Sequence, residues 1–245
     1  MYEEHPEIET PPDDAVIWRY MDIPLLLALL HSSGLYLCRL DNLRDPWEGH
    51  WPTAILDAAR NDLDRIHVGI AENMVKVMNE FPKSFFVNCW HESVGESAAF
   101  WDHYGYSRGV AIKSTVGRLK QASRTAERFF VGRVKYLDYE DPDLAVARLN
   151  ALAPAFLKRH SFSHEHEVRV LVWEVLLSDS DPEKVTRFGL HDSLTLPVDL
   201  PMLIDSVYIS PALHSWLIEP VRELLQRFRL ELPVKRSQLY DREIK

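Results

Sequence analysis

HEHEVRVLVWEV, residues 164–175, is the stretch that decides how this chain is expected to fold. From residue 168 onward a valine stands at every second position, which is typical of a buried β-strand. The front half instead carries two histidines, two carboxylates and an arginine. Because side chains alternate across a strand, Glu165, Glu167 and Arg169 are predicted to share one face. The strand therefore either leaves the core at this end or brings acidic groups to the rim of a pocket.

The two carboxylates of this stretch need an explanation, because acids one residue apart on a strand face repel each other unless water or a cation compensates them. Arg169 is the next residue on that face, and Lys158 and Arg159 lie just upstream. Two interpretations stay open. The acids form an ion-pair ladder with these cations, or one of them takes part in chemistry.

Outside this stretch, strand-like and helix-like segments are mixed without the regular rhythm of a parallel βαβ fold. Short β-rich runs occur at residues 16–20, 35–40, 85–90 and 109–114, separated by amphipathic helical segments. The pattern predicts an α+β fold. The strand under discussion is expected to run from residue 165 to residue 177 in the same core as the first strand, with Arg19 and the carboxylates of Glu165 and Glu167 lining one cleft.

Composition indicates one globular domain over residues 15–245, since 46% of the 245 residues are hydrophobic and 27% are charged. Residues 1–14, MYEEHPEIETPPDD, are acidic and proline-bearing, and they are predicted to form a disordered tail. This segment lacks the features of a signal peptide, and the apolar run IPLLLALL is too short to span a bilayer. We therefore expect a cytoplasmic protein with no membrane partner.

Charge and cysteine content narrow the partners and the redox state. A net charge of −9 argues against broad electrostatic binding of nucleic acid or of an acidic membrane. Cys38 and Cys89 do not form a CxxC motif, so both are expected to be reduced thiols. Glycine-rich phosphate loops, HExxH and GxSxG motifs are absent from the sequence.

Two further segments concentrate polar and aromatic residues. The loop LRDPWEG, residues 43–49, is predicted to border the acidic strand end, with Arg44 or Glu48 pointing inward and Trp47 covering apolar surface. In ESAAFWDHYG, residues 96–105, helical spacing places Trp101 and Tyr104 on one face. Such pairs are more often core than ligand platform, and Trp101 is expected to be the more buried.

The end of the first strand carries Arg19 and Tyr20, just before a helix that Asp22 is expected to cap. An arginine in this position either forms an ion pair at the sheet edge or presents its fixed donors to a phosphate or ribose. The residues alone leave both interpretations open.

Several of these pieces resemble a bacterial family known as domain of unknown function 2971, over about residues 18–239. The similar segments are WRYMD, LRDPWEG, FVNCW, ESAAFWDHYG, GVAIKS, VKYLD, KRHSFSHEHEVRVL and VYISP. The DPWEG loop, the ExxxxWxxY segment and the FxxExExR strand are the most specific. This resemblance carries no activity with it.

The opening of the chain, a strand ending in Arg-Tyr followed by a capped helix and GLYL, is also similar to ADP-ribosyltransferase domains. That resemblance implies a mixed, mostly antiparallel split sheet with packed helices, and NAD as the substrate. It implies that Glu167 is the catalytic carboxylate, which would stabilise the oxocarbenium-like ribose, and that Glu165 orients the attacking group. The residues expected to bind NAD are Arg19, Tyr20, Arg44, Glu48, Trp101, Tyr104 and Arg169.

The function expected on this resemblance is an NAD-using ADP-ribosyltransferase or NAD glycohydrolase that acts as a defence or toxin effector. Its partners would be a small nucleotide, a protein or nucleic-acid acceptor, and an antitoxin or other regulator. One alternative is a metal-dependent nuclease that uses Glu165, Glu167 and one of Asp22, Asp45 or Glu48 as ligands. The other alternative is a non-catalytic binding or stress-response module on the same fold.

Overall fold

A computed structural model describes residues 1–64, 70–103, 109–141, 144, 150–174 and 191–241 of the chain. The helices are α1 (Ile23–Ser32), α2 (Thr53–Asp64), α3 (Ile70–Glu80), α4 (Ala98–His103), α5 (Val116–Gln121), α6 (Leu200–Leu203) and α7 (Ile218–Arg227). The strands are β1 (Val16–Met21), β2 (Gly34–Arg39), β3 (Phe85–Glu92), β4 (Val110–Thr115), β5 (Phe130–Arg133), β6 (Lys135–Leu137), β7 (Leu157–Arg159), β8 (Glu167–Trp173), β9 (Ser193–Pro197), β10 (Ser206–Ile209) and β11 (Val234–Arg236).

Nine of these strands form one sheet in the order β11-β10-β4-β1-β3-β2-β9, with β8 pairing with both β3 and β5. All pairs in this sheet are antiparallel except β10 with β11. The parallel pair of β6 and β7 lies beside it. The prediction of an α+β fold with a mostly antiparallel sheet is therefore confirmed.

The sheet divides at β3. One edge of β3 pairs with β8 along almost its whole length. The opposite edge is shared, because β2 pairs with Phe86 and Val87 while β1 pairs with His91 and Glu92. Beyond these contacts β1 continues along β4 and β2 continues along β9, so the two strands diverge. Residues 88–90 of β3 face the gap between them, which we call the fork.

The pairing register assigns each side chain to a face, because directly opposed residues share one side of a sheet. Trp18 is opposite His91, and His91 is opposite Glu167, so these three side chains lie on what we call the first face. The next residue along β1, Arg19, is opposite Ile112 and lies on the second face. The largest apolar cluster covers the second face and includes residues of α1, α5 and α7.

The N-terminal residues contact the edge of β5, which corrects the prediction of a disordered tail. The backbone N–H of Glu3 donates to the carbonyl of Phe129 at 3.0 Å, and the N–H of Arg133 donates to the carbonyl of Glu9 at 2.8 Å. Ile8 is only 7% exposed and belongs to an apolar cluster on the first face. The acidic composition of the segment misled the prediction, because charged side chains point outward while the backbone covers a strand edge.

Cys38 and Cys89 are both free, in agreement with the prediction of reduced thiols. The part of the chain that the structure describes contains no helix long and apolar enough to cross a membrane.

The packing of the N-terminal segment can be tested at Ile8. We expect Ile8→Ala to lower the free energy of unfolding by about 2–5 kcal/mol, because truncation leaves a cavity in the cluster. Urea denaturation measures this, with Val94→Ala as the control, since Val94 is 94% exposed. Equal stability of the Ile8 variant and wild type would mean that the tail is detached.

Candidate functional site

The strand that contains the acidic stretch, β8, begins at Glu167 instead of the predicted residue 165. Residues His160–Glu165 form a 3-10 turn, His166 has a left-handed backbone with φ of 41°, and β8 starts at Glu167. Glu165 therefore does not lie on the strand, which corrects the prediction of a strand beginning there. The turn nevertheless returns the Glu165 carboxylate towards that of Glu167, because both accept hydrogen bonds from Lys158.

Five charged side chains meet in the interior, and we call them the charge cluster: Glu48, Lys158, Glu165, Glu167 and Arg169. The Lys158 ammonium lies 3.0 Å from the Glu48 carboxylate, 2.5 Å from Glu165 and 3.1 Å from Glu167. Lys158 is one of the cations that the sequence suggested as a partner. Of the two interpretations that the sequence left open, these contacts support compensation of the acids by neighbouring cations, and the ion pairs are buried.

Arg169 occupies the centre of the charge cluster and is completely buried. Its Nε donates to Glu167 at 2.7 Å, Nη2 donates to Glu48 at 2.7 Å, and Nη1 donates to the Ala155 carbonyl at 2.7 Å. The residue opposite Arg169 on β5 is Gly132, where an added Cβ would come within 2.3 Å of Ile8. The absence of a side chain at position 132 thus allows the N-terminal segment to cover this part of the sheet.

Electrostatics keep Glu167 ionised. Burial alone would raise its pKa, but the charges of Arg169 and Lys158 outweigh burial and hold the pKa at about 2. Burial raises the pKa of the Cys89 thiol, which stays protonated and donates to Glu167. The two oxygens of Glu167 are therefore engaged by Arg169, Lys158 and Cys89, and the side chain is 5% exposed. These contacts describe a structural carboxylate.

The loop at residues 43–49 borders the charge cluster, as the sequence predicted. Glu48 points inward to Arg169, and Asp45 accepts two hydrogen bonds from Arg159, at 2.8 and 3.1 Å. Arg44 is exposed and does not point inward. Trp47 is 45% exposed and packs edge-on to the ring of Tyr139, with ring centroids 6.3 Å apart. The loop thus supplies Glu48 to the charge cluster and is joined to Arg159 by Asp45.

The aromatic residues of the first face form a packed group beside the cluster. Trp101 is 1% exposed, its Nε1 donates to Glu96 at 2.9 Å, and its ring lies 5.0 Å edge-on from Tyr20. The hydroxyl of Tyr20 accepts from the backbone N–H of Ser97. Trp101 is thus a core residue, as predicted, and Tyr20 is held in the same core. Tyr104 lies outside the described residues.

His91 is a buried polar residue of the first face whose importance the sequence did not reveal. The Glu165 carbonyl lies 2.7 Å from its Nδ1 and accepts the proton there, so Nε2 carries the lone pair. The imidazole stacks on Phe100 with centroids 4.1 Å apart. Burial lowers the pKa of His91, which keeps the ring neutral at pH 7.

Arg19 does not share a cleft with the carboxylates, which corrects that prediction. Alternation along β1 places it on the second face, whereas Glu167 lies on the first. Arg19 Nη1 donates to the Cys89 carbonyl at 2.7 Å, in the fork. The described residues supply no other hydrogen-bond partner to Arg19 and no carboxylate. Burial lowers its pKa, which outweighs the opposing effect of the Cys89 thiol.

The fork also contains the buried polar side chains of Asn88 and Trp90. Asn88 Nδ2 donates to the Tyr36 carbonyl at 2.8 Å and thereby joins β3 to β2 across the gap. Within the described ranges, Asn88 Oδ1 and Trp90 Nε1 have no hydrogen-bond partner, although each residue is 2% exposed. The fork therefore differs from the charge cluster, where every charged group is compensated.

A metal centre finds no support in the described ranges, where no group of three or more His, Cys, Asp or Glu side chains could hold an ion. Asp22 caps α1 by accepting from the Leu25 N–H, and Asp45 pairs with Arg159. Glu48, Glu165 and Glu167 are bound to Lys158 or Arg169. The carboxylates proposed as nuclease ligands are thus engaged by other groups.

Comparison with known proteins found no matching family model, and no curated protein or solved structure is significantly similar to this chain. The resemblances to domain of unknown function 2971 and to ADP-ribosyltransferases therefore stay predictions from the sequence.

The structural role of Glu167 predicts a loss of stability on substitution. We expect Glu167→Gln to reduce the free energy of unfolding by about 3–5 kcal/mol, because it leaves Arg169 and Lys158 buried with one carboxylate fewer. Glu165→Gln should cost less, since Lys158 keeps Glu48 and Glu167. Chemical denaturation of both variants measures this. An unchanged stability of Glu167→Gln would contradict the structural role and return the residue to the catalytic candidates.

The depressed pKa of Glu167 also predicts a pH dependence. Its pKa is about 2 in the folded chain and 4.5 as the ordinary value, so the unfolded chain takes up the proton first. The contribution of Glu167 to stability is complete above about pH 4.5 and is lost as the pH falls towards 2. Urea midpoints between pH 7 and pH 3 should fall less steeply for Glu167→Gln than for wild type. Parallel curves would show that other groups control acid unfolding.

Proposed function

We propose that the protein binds a small anionic nucleotide, with NAD as the first candidate, and that Arg19 holds a phosphate group at the fork. The observation that supports the proposal is the unequal compensation of two arginines, Arg169, which is fully buried, and Arg19, which is partly exposed. Arg169 is matched by two carboxylates, whereas Arg19 has only a backbone carbonyl among the described residues.

The physical argument concerns the cost of burying a charge. A partly buried guanidinium such as that of Arg19 has lost some of its hydration, and a single carbonyl dipole compensates only part of its charge. Phosphate fits the remaining donors, because the planar guanidinium presents paired N–H groups to its oxygens. Arg19 also satisfies the Cys89 carbonyl where β1 leaves β3, so a purely structural role is the competing explanation.

We propose that the protein binds a nucleotide, and we do not propose that it transfers ADP-ribose. Transfer would require a carboxylate that reaches the ribose, and Glu167 is bound to Arg169 and Lys158 on the other face of the sheet from Arg19. A macromolecular acceptor and an antitoxin partner stay predictions from the resemblance. Nucleotide binding requires only Arg19, which has no carboxylate partner among the described residues.

Calorimetric titration of the purified chain with NAD, ADP-ribose and inorganic phosphate tests the proposal. We expect Arg19→Gln to weaken binding of all three by about tenfold or more, because the charged donor is lost. Arg19→Lys should give an intermediate affinity, since it keeps the charge and loses the paired donors.

The matched control is Lys113→Gln on the neighbouring strand. Lys113 is opposite Trp18 and lies on the first face, with its ammonium 5.9 Å from the Trp18 ring. Its replacement should leave every affinity unchanged. Equal binding by Arg19→Gln and wild type, or no binding of any of the three ligands, would overturn the proposal and leave Arg19 with its structural role.

A further inference from the structure

We infer that the ligand of the fork carries a planar amide edge next to its anionic group, with a hydrogen-bond acceptor and an N–H donor side by side. This inference rests on the proposed nucleotide binding and names the part of the nucleotide that enters the fork. It is drawn from Asn88 and Trp90, which the proposal above does not use.

The three polar groups of the fork lie on one side of the sheet. Asn88 and Trp90 flank Cys89 on β3, so alternation places both on the face opposite to that of Cys89. Trp90 belongs to the apolar cluster of the second face, the face on which Arg19 lies. The Cys89 carbonyl that Arg19 binds thus stands between the two residues.

The unpartnered atoms are complementary to an amide edge. Trp90 Nε1 is a donor only, and Asn88 Oδ1 is an acceptor only. Leaving such groups buried without partners costs stability, and each such group in a folded protein calls for a specific cause. A ligand carbonyl or ring nitrogen would accept from Trp90, while an adjacent amino group would donate to Asn88.

Both atoms are closed off from solvent, so the ligand reaches them only when the fork opens. Leucines of α1, the helix that links β1 to β2, belong to the same apolar cluster as Trp90. We therefore expect binding to be coupled to a movement of α1 relative to β3. The gap between β1 and β2 is the place where the sheet can open without breaking a strand pair.

Two parts of a dinucleotide offer this edge, the carboxamide of nicotinamide and the amino-substituted edge of adenine. Nicotinamide mononucleotide carries only the first and ADP-ribose carries only the second, while inorganic phosphate carries neither. The affinities of these three compounds and of NAD are measured by calorimetry for wild type, Trp90→Phe and Trp51→Phe.

Trp51→Phe is the matched control, because Trp51 is also buried and its Nε1 has no partner among the described residues, but it lies in a separate cluster with Ile55, Met78 and Leu157. Thermal melting without ligand establishes that each variant folds. Should Trp90→Phe fail to fold, Asn88→Ala replaces it, since it removes the acceptor of the same edge.

We expect Trp90→Phe to weaken NAD by about tenfold, together with whichever of nicotinamide mononucleotide or ADP-ribose supplies the edge. Phosphate affinity should stay at the wild-type value, and Trp51→Phe should change nothing. Unchanged affinities for all ligands in Trp90→Phe would overturn the inference, and so would a loss of phosphate affinity equal to that of the nucleotides. In both cases loss of binding in Arg19→Gln would leave the proposed function intact. Absence of binding by wild type would overturn both.

Discussion

The buried guanidinium of Arg169 constrains much of the structure around it. A charge in the interior is tolerated only when anions and hydrogen-bond acceptors surround it, and Arg169 finds Glu167, Glu48 and the Ala155 carbonyl. These partners come from β8, from the loop before α2 and from the segment before β7. One side chain therefore fastens three distant parts of the chain. Lys158 is a second cation, and its charge compensates a third carboxylate, that of Glu165.

The same requirement explains the details of the fork. When β1 turns away from β3, the backbone groups of residues 88–90 lose a neighbouring strand on that edge. Side chains take its place, because Arg19 donates to the Cys89 carbonyl and Asn88 donates across the gap to Tyr36. The replacement is incomplete, since Asn88 Oδ1 and Trp90 Nε1 lack partners within the residues described. Hydrogen bonding in the fork is thus less complete than in the charge cluster. This difference is the basis for placing a ligand in the fork.

In the charge cluster and in the fork, the residue types alone suggest roles that the contacts do not support. Glu165 and Glu167 have the spacing of a catalytic pair, yet in the interior they form ion pairs with Lys158 and Arg169. Arg19 looks like an ordinary strand-end arginine, yet among the described residues it donates to a backbone carbonyl and has no carboxylate partner. A functional assignment based on residue types alone would select Glu165 and Glu167. An assignment based on which charged side chains lack a counterion among the described residues selects Arg19.

The sequence by itself determined the features that depend on neighbouring residues. Alternating valines placed the strand that became β8, and Asp22 marked the start of α1. Proximity along the chain was enough to suggest Lys158 as a partner for the acids. Capping, alternation and short-range charge compensation act over a few residues, so they can be recognised without a fold.

Only the tertiary structure decided which face of the sheet each polar side chain occupies. The face of Arg19 follows from the pairing of β1 with β4, and the positive φ at His166 separates Glu165 from β8. Glu48 meets Arg169 from a position 121 residues away, and the acidic N-terminal segment covers a strand edge despite its composition. A shift of one residue in register moves a side chain through the sheet, and register is set by contacts between strands that are far apart in the chain. Local patterns carry no information about such contacts, so the separation of Arg19 from Glu167 could not be read from the sequence.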